Sequence, residues 1–311
     1  MNYKFLFSVC VCFSVSLFAL EEEELTWDEP AYTAQELHRS LQEALEKEDW
    51  WSVADFSGII SYNFPDSPFA SEAAFLMGKS YFHLEQFELA NDYFGIYLHQ
   101  AGGVKHFEDA IQYKFQIAEG YRLGKKRRLF GSHKMPRILP SKEEAVEIYE
   151  EVITTLPHHE IAVKSLLGKA QLLAEFEDFK LSREALQTLI RRFPKHDLAA
   201  EAYLEMGRTY LTECQVSSMD ADLLDLAEVN LRKFRQAFPR EKRIQEAEAL
   251  LIEMQELFAK NLLDIGKFFD KTHKPVAAKI YYSKVVAKFP NSEAALVARE
   301  KLVPASSLIL Q

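Results

Sequence analysis

Few residues in this 311-residue chain have the type and spacing that chemistry needs. His158 and His159 adjoin at the start of a helical stretch. Neighbouring side chains on a helix point apart, so the pair cannot offer two metal ligands on one face. The three scattered cysteines, Cys10, Cys12 and Cys214, do not have the spacing of a zinc site. Glu143-Glu144 and Glu150-Glu151 read as an exposed helix face and not as an acid/base pair. There is no glycine-rich phosphate loop, no Gly-x-Ser-x-Gly elbow and no His-Glu-x-x-His. We therefore expect no catalytic residues, no metal, no cofactor and no enzyme activity. The competing class is an enzyme or transport-receptor subunit that uses its helices only as a scaffold.

One charge run stands out. Lys125, Lys126, Arg127 and Arg128 are consecutive in a chain whose net charge is −10. The run is either a solvated loop or a dock for an acidic partner surface or anionic lipid head groups. The acidic balance argues against nucleic acid, because phosphate binding needs a cationic face.

The N-terminus reads as an export signal. Lys4 precedes an apolar run from Phe5 to Leu20, which Glu21 to Glu24 end abruptly. That run is short for a membrane span, which needs ~20 residues, but suits a signal-peptide core at residues 1–20. A retained membrane anchor is the competing reading. Cys10 and Cys12 fit a lipidation signal poorly. If Ala19 is the cleavage point, the mature chain keeps only Cys214 and stability must come from packing.

The elements that would position any binding residue announce themselves by repetition. An aromatic or leucine followed by proline recurs at Phe64-Pro65, Leu156-Pro157, Phe193-Pro194, Phe238-Pro239 and Phe289-Pro290. Twelve residues before most of these prolines stands a small residue, with bulky apolar residues eight and five before. The sets are Ala145/Tyr149/Val152, Ser182/Leu186/Leu189, Ala227/Leu231/Phe234 and Ala278/Tyr282/Val285. Ala90/Phe94/Tyr97 keeps the register before Gly102, and the first copy is looser, with Ala54 eleven before Pro65. Steps of four and three place each set on one helix face, and proline then stops the helix. Gly78 and Gly266 lie twenty-four residues before their stops, where a glycine lets two antiparallel helices cross closely; Gly207 with Tyr210 repeats the start of that pattern.

The spacing predicts an all-α solenoid of the tetratricopeptide (TPR) type, a right-handed superhelix of five to six helical hairpins. Pairs are expected near 33–63, 68–100, 104–156, 159–193, 197–238 and 241–289, with a last helix from Ser292 to Leu302. The third pair carries an insert at residues 124–140, and the fifth a shorter one near Cys214 to Asp222. Residues 21–32 form an acidic linker, 33–303 the repeat domain and 304–311 a tail.

Three stretches narrow the family. They are Asn63 to Ala74, Ile265-Gly-Lys-Phe-Phe269 with Pro275 to Tyr282, and Lys288-Phe-Pro-Asn-Ser-Glu-Ala295. Following a signal segment, and with Phe130-Gly131 in the third-repeat insert, they resemble the BamD family, the TPR lipoprotein of the bacterial β-barrel assembly machine. The well-formed lipidation cysteine of that family is missing, and the insert is basic, with Lys134 and Arg137, where family members tend to place aspartates. The resemblance implies a scaffold at the periplasmic face of the outer membrane of a Gram-negative bacterium. Its partners would be a BamA-like barrel subunit and unfolded outer-membrane clients, with peripheral membrane association. The runner-up is another periplasmic TPR adaptor serving cell-wall or division machinery.

In TPR arrays the first helix of each pair lines the concave face. Lys79, Phe82 and His83 in the second pair, and Tyr113, Lys114 and Arg122 in the third, are the candidate groove residues. The competing reading is that the aromatics are core and the charges solvated. By region, the resemblance assigns the barrel subunit to the C-terminal repeats, with Arg232, Arg235, Lys279 and Lys284.

Overall fold

The structure is a computed structural model and describes residues 32–99, 105–128, 136–217 and 220–303. The signal segment, nearly all of the acidic linker, Lys134, Phe130-Gly131 and the tail lie outside the described residues.

Six antiparallel helix pairs follow one another in sequence. They are α1 (Ala34–Glu46) with α2 (Trp50–Asn63), α3 (Ala70–His83) with α4 (Phe87–His99), and α5 (Phe107–Arg122) with α6 (Lys142–Thr155). Then come α7 (Glu160–Glu175) with α8 (Phe179–Arg192), α9 (Asp197–Val216) with α10 (Ala221–Ala237), and α11 (Ile244–Lys271) with α12 (Pro275–Lys288). A single helix, α13 (Glu293–Leu302), closes the array. From α3 onward each odd-numbered helix touches the next odd-numbered one, while each even-numbered helix wedges between two of them. The odd helices therefore form one continuous inner wall and the even helices an outer layer, a TPR-like all-α solenoid.

The sequence pattern dictates the seams. Every small and bulky residue of the five sets is buried. The first copy also holds the register after all, through Val53, Ser57 and Ile60 and not through Ala54 alone, and all three are fully buried. It looked loose because sizes are exchanged there, with Val53 at the small position and Ser57 at a bulky one. Each even helix before a proline ends at the same place. Phe64, Leu156, Phe193, Phe238 and Phe289 all cap their helices with φ between −132° and −126° and ψ between 53° and 65°. That common geometry is the non-helical backbone that a following proline imposes.

The opposite ends of the pairs share a second device. After α1, α3, α5, α7 and α11 the chain turns through a left-handed residue: Glu48, Glu85, Gly124, Glu177 and His273. The next residue donates its N–H back to the third-last helical carbonyl, as Asp178 does to Leu173 at 2.8 Å. Left-handed geometry strains a residue with a Cβ. Glu177→Gly is therefore expected to raise stability by about 0.5–1 kcal/mol in thermal denaturation. Glu85→Gly should gain less, because it removes the carboxylate that meets Lys125 and Arg137. An equal gain at both positions would refute the distinction.

Two local expectations need correction. The insert after α5 is not loop alone: β1 (Arg127–Arg128) pairs antiparallel with β2 (Arg137–Leu139). Hydrophobic period gave no hint of a ribbon two and three residues long. The segment near Cys214 is not a loop either. Helix α9 continues to Val216, burying Cys214, whose thiol burial pushes up to about 11.

Candidate functional site

Lys79, Phe82 and His83 end α3, and the structure separates them. The His83 ring stacks on Trp50 with centroids 3.9 Å apart and planes 6° from parallel, and the Lys79 ammonium lies 5.7 Å from the same indole. Trp51 beside them is 57% exposed. This aromatic edge was visible in sequence only as Trp50-Trp51 at a helix start, and it was missed. Phe82 turns the other way and packs edge-on against Phe87 and Tyr113 at 5.5 and 4.9 Å. Tyr113 in turn stacks on Phe94 at 5.1 Å. Phe82 and Tyr113 thus serve packing between pairs, as the competing reading had it.

Partial burial and the Lys79 charge hold the His83 imidazole below its ordinary value, Glu48 opposing them. A depressed histidine makes the folded state bind fewer protons than the unfolded one. Its contribution is then fully present above about pH 6.5 and lost as pH falls through the folded value. A histidine NMR titration should place the His83 midpoint below 6.5, and a midpoint at or above it would contradict the stack's geometry.

Lys114 and Arg122, both on α5, point to different sides of it. Lys114 is 3% exposed, with its ammonium 2.6 Å from Glu151 on α6. An accessible groove cation is not what stands there, because the helix face chosen by sequence spacing runs toward the outer layer. Arg122 lies along the inner wall. It donates to Glu119 at 2.6 and 3.2 Å and to Gln171 on α7 at 3.5 Å. From there a polar ladder continues across successive odd helices. Gln171 donates to Glu205 on α9 at 3.3 Å, and Arg208 joins Glu205 to Glu246 on α11 at 2.7 and 2.5 Å. Arg243, just before α11, bridges Glu201 and Glu241 and holds the Glu241 carboxyl down to about 2. The inner wall from α5 to α11 is thus a run of charges and amides able to exchange hydrogen bonds with a bound chain.

The basic cluster is largely engaged with carboxylates of its own chain. Lys125 and Arg137 both reach Glu85, at 3.4 and 3.2 Å. Together they hold the Glu85 carboxyl below its usual range, Lys125 contributing most. Arg127 pairs with Glu144, and the Arg128 N–H donates to Glu88 at 2.6 Å. Ser141 fastens the ribbon's base through the Lys125 carbonyl at 2.6 Å. Lys126 is exposed. The insert therefore reaches back and straps onto the second pair. The glutamates read as a plain exposed face share in this work: Glu144 and Glu151 pair as above, and Glu150 meets Lys169 at 2.5 Å. His159 is neither a ligand nor idle, because it caps α7 by accepting the Ile161 N–H at 3.2 Å; His196 does the same for α9.

At the C-terminal end Arg232 and Lys279 are exposed, Arg235 pairs with Glu248 at 2.7 Å, and the Lys284 ammonium lies 5.1 Å from the Tyr281 ring. On α11 and α12, Phe268, Val276 and Ile280 are all at least half exposed. Among the described residues no group of three or more His, Cys, Asp or Glu could hold a metal ion.

Residues 140–306 match the family described as YfiO, outer membrane lipoprotein. The chain belongs to that family. The matched part runs from the ribbon's end through α13, so it includes most of the polar wall and all of the C-terminal face. Solved structures that are similar to this chain include a tetratricopeptide repeat protein from Parabacteroides merdae, 15% identical, which covers 86% of this chain and 97% of that one with a TM-score of 0.36. A second is PilW, described as a widely conserved type IV pilus biogenesis factor, at 17% identity, 85% and 98% coverage and a TM-score of 0.30. A third is the TPR-like repeats of a Podosopora anserina putative kinesin light chain, at 15% identity, 73% and 94% coverage and a TM-score of 0.37. No curated protein matches the chain. Family and architecture together make this chain a TPR-type protein-binding scaffold.

Proposed function

We propose that the chain is an envelope scaffold that works at the periplasmic face of the outer membrane, in the assembly and insertion of β-barrel proteins. Its partners are a BamA-like barrel subunit and unfolded outer-membrane clients. The observation that carries this reading is family membership over residues 140–306, which embraces the C-terminal repeats. A client segment lies along the inner wall, where the Arg122–Glu246 ladder trades hydrogen bonds with an extended backbone and the exposed edge at Trp50, Trp51 and His83 offers flat aromatic contact. The barrel subunit docks on the opposite end through Arg232, Lys279 and the exposed Phe268, Val276 and Ile280, a mixed charged and apolar surface suited to a stable interface. Export by the segment at residues 1–20 brings the chain to that compartment.

Affinity isolation of the tagged chain from detergent-solubilised envelopes of its native bacterium tests the reading. A barrel protein with polypeptide-transport domains should co-purify, and charge reversal at Arg232 and Lys279 should deplete it. Recovery of cell-wall synthases in its place would overturn the proposal.

A further inference from the structure

Beneath the insert ribbon lies a cavity of about 520 Å³ on the outer side of the array. Helices α4 and α6 form its sides, Tyr121 of α5 its floor, and β1 with Leu139 its roof. Five carboxylates face it: Glu88, Asp92, Glu144, Glu147 and Glu151. Against them stand Arg127 and Arg128, with Lys114 behind on Glu151, so two negative charges are in excess.

Three buried side-chain oxygens that line this one space have no hydrogen-bond partner in the chain: Tyr121 Oη, Asn91 Oδ1 and Glu144 Oε2. Tyr121 is only 2% exposed. Leaving such groups unmatched is costly, so their convergence is unusual for a wall that merely packs. Burial also pushes the Asp92 carboxyl and the Tyr121 phenol up, and the nearby Lys114 only partly offsets this at Asp92. Two acceptor oxygens and a hydroxyl, in surplus negative charge, are the complement of a cation that carries several N–H donors. An ammonium has three and a guanidinium five. The absence of metal-holding groups among the described residues sets a bare divalent ion aside.

We propose that this cavity receives the ammonium or guanidinium end of a lysine or arginine side chain from a partner polypeptide. The site is separate from the inner wall and goes beyond the assembly role proposed above; it requires only that the chain binds polypeptides. The two strands of the roof are tied to Glu85 and Glu88, which holds the described lining in place over the cavity.

The test titrates the full chain with capped Gly-Lys-Gly and Gly-Arg-Gly peptides, with the norleucine analogue and with spermidine. It is read by calorimetry and by the ring signals of ¹³C-labelled tyrosine. A cationic peptide should bind and shift Tyr121, whereas the norleucine peptide should not. Asp92→Asn and Glu144→Gln should each weaken binding about tenfold, the scale of one charge-assisted hydrogen bond. Tyr121→Phe removes one oxygen only, and should weaken binding with the thermal midpoint unchanged or higher. Equal binding of norleucine, indifference to all three variants, or no response to either cationic peptide would overturn the proposal. So would binding of spermidine alone, which would make the site a receptor for small amines. None of these results depends on which envelope protein co-purifies with the chain.

Discussion

Phe94→Ala is expected to cost about 3–5 kcal/mol and to release α1–α4 before the rest of the array unfolds. Phe94 is fully buried, lies against Gly78 within its own pair, and stacks on Tyr113 of the next. It is therefore both the filling of one seam and a principal link to the following one. Helices α4 and α5 approach each other over a shorter stretch than most successive helices do. Stability in such an array is close to a sum of local and nearest-neighbour contributions, so a lesion at a thin junction should uncouple the two sides. Calorimetry should show the melt dividing in two, with hydrogen exchange quickening first in α1–α4. A single transition moved down intact would mean that the array melts as one unit.

Gly168→Ala should destabilise by about 1–3 kcal/mol, although alanine favours a helix over glycine by about 1 kcal/mol. A methyl group at that position would sit 2.8 Å from Cζ and Oη of Tyr149. The ring cannot step aside, because its hydroxyl donates to Glu119, which Arg122 also holds. Gly266 makes the same demand against Tyr282, itself tied to Asp270 at 2.9 Å. Gly207 is the contrast. The nearest atom to a methyl group there is the mobile Leu250 Cδ1 at 3.4 Å, and Gly207→Ala should stabilise by up to about 1 kcal/mol. Chemical denaturation distinguishes the two signs. Pairing Gly168→Ala with Tyr149→Leu should recover much of the loss, since the double change removes the clash.

Periodicity made the hairpins readable because small, bulky and proline positions report one physical fact, the burial of a single helix face. The same logic placed Gly78 and Gly266 correctly. It missed Gly168, whose aromatic partner Tyr149 belongs to the preceding pair and not to its own. Individual contact residues were harder. Lys114 and Arg122 look alike in sequence, yet one is buried toward Glu151 and the other lies along the inner wall; a rotation of less than a quarter turn about the helix decides this. For the basic run Lys125–Arg128 the sequence left a solvated loop and a cationic dock open and hid the pairing, because its partners, Glu85, Glu88 and Glu144, come from other helices. Charge pairing at long sequence separation leaves no local trace. The cavity behind that strap was unreadable for the same reason.

The interruption of the third pair also bears on how the chain acquires its shape. Three residues join the helices of the first, second, fourth and sixth pairs, whereas nineteen separate α5 from α6. Closing the longer span costs roughly 1.5 kcal/mol more entropy than closing a three-residue turn. The short-turn hairpins can nucleate early and locally, on each side of a gap that closes late. During synthesis the first two would be complete while α6 is still to come, leaving the Phe82–Phe87 surface uncovered until α5 arrives. That interval is when the nascent array is most exposed to misassociation.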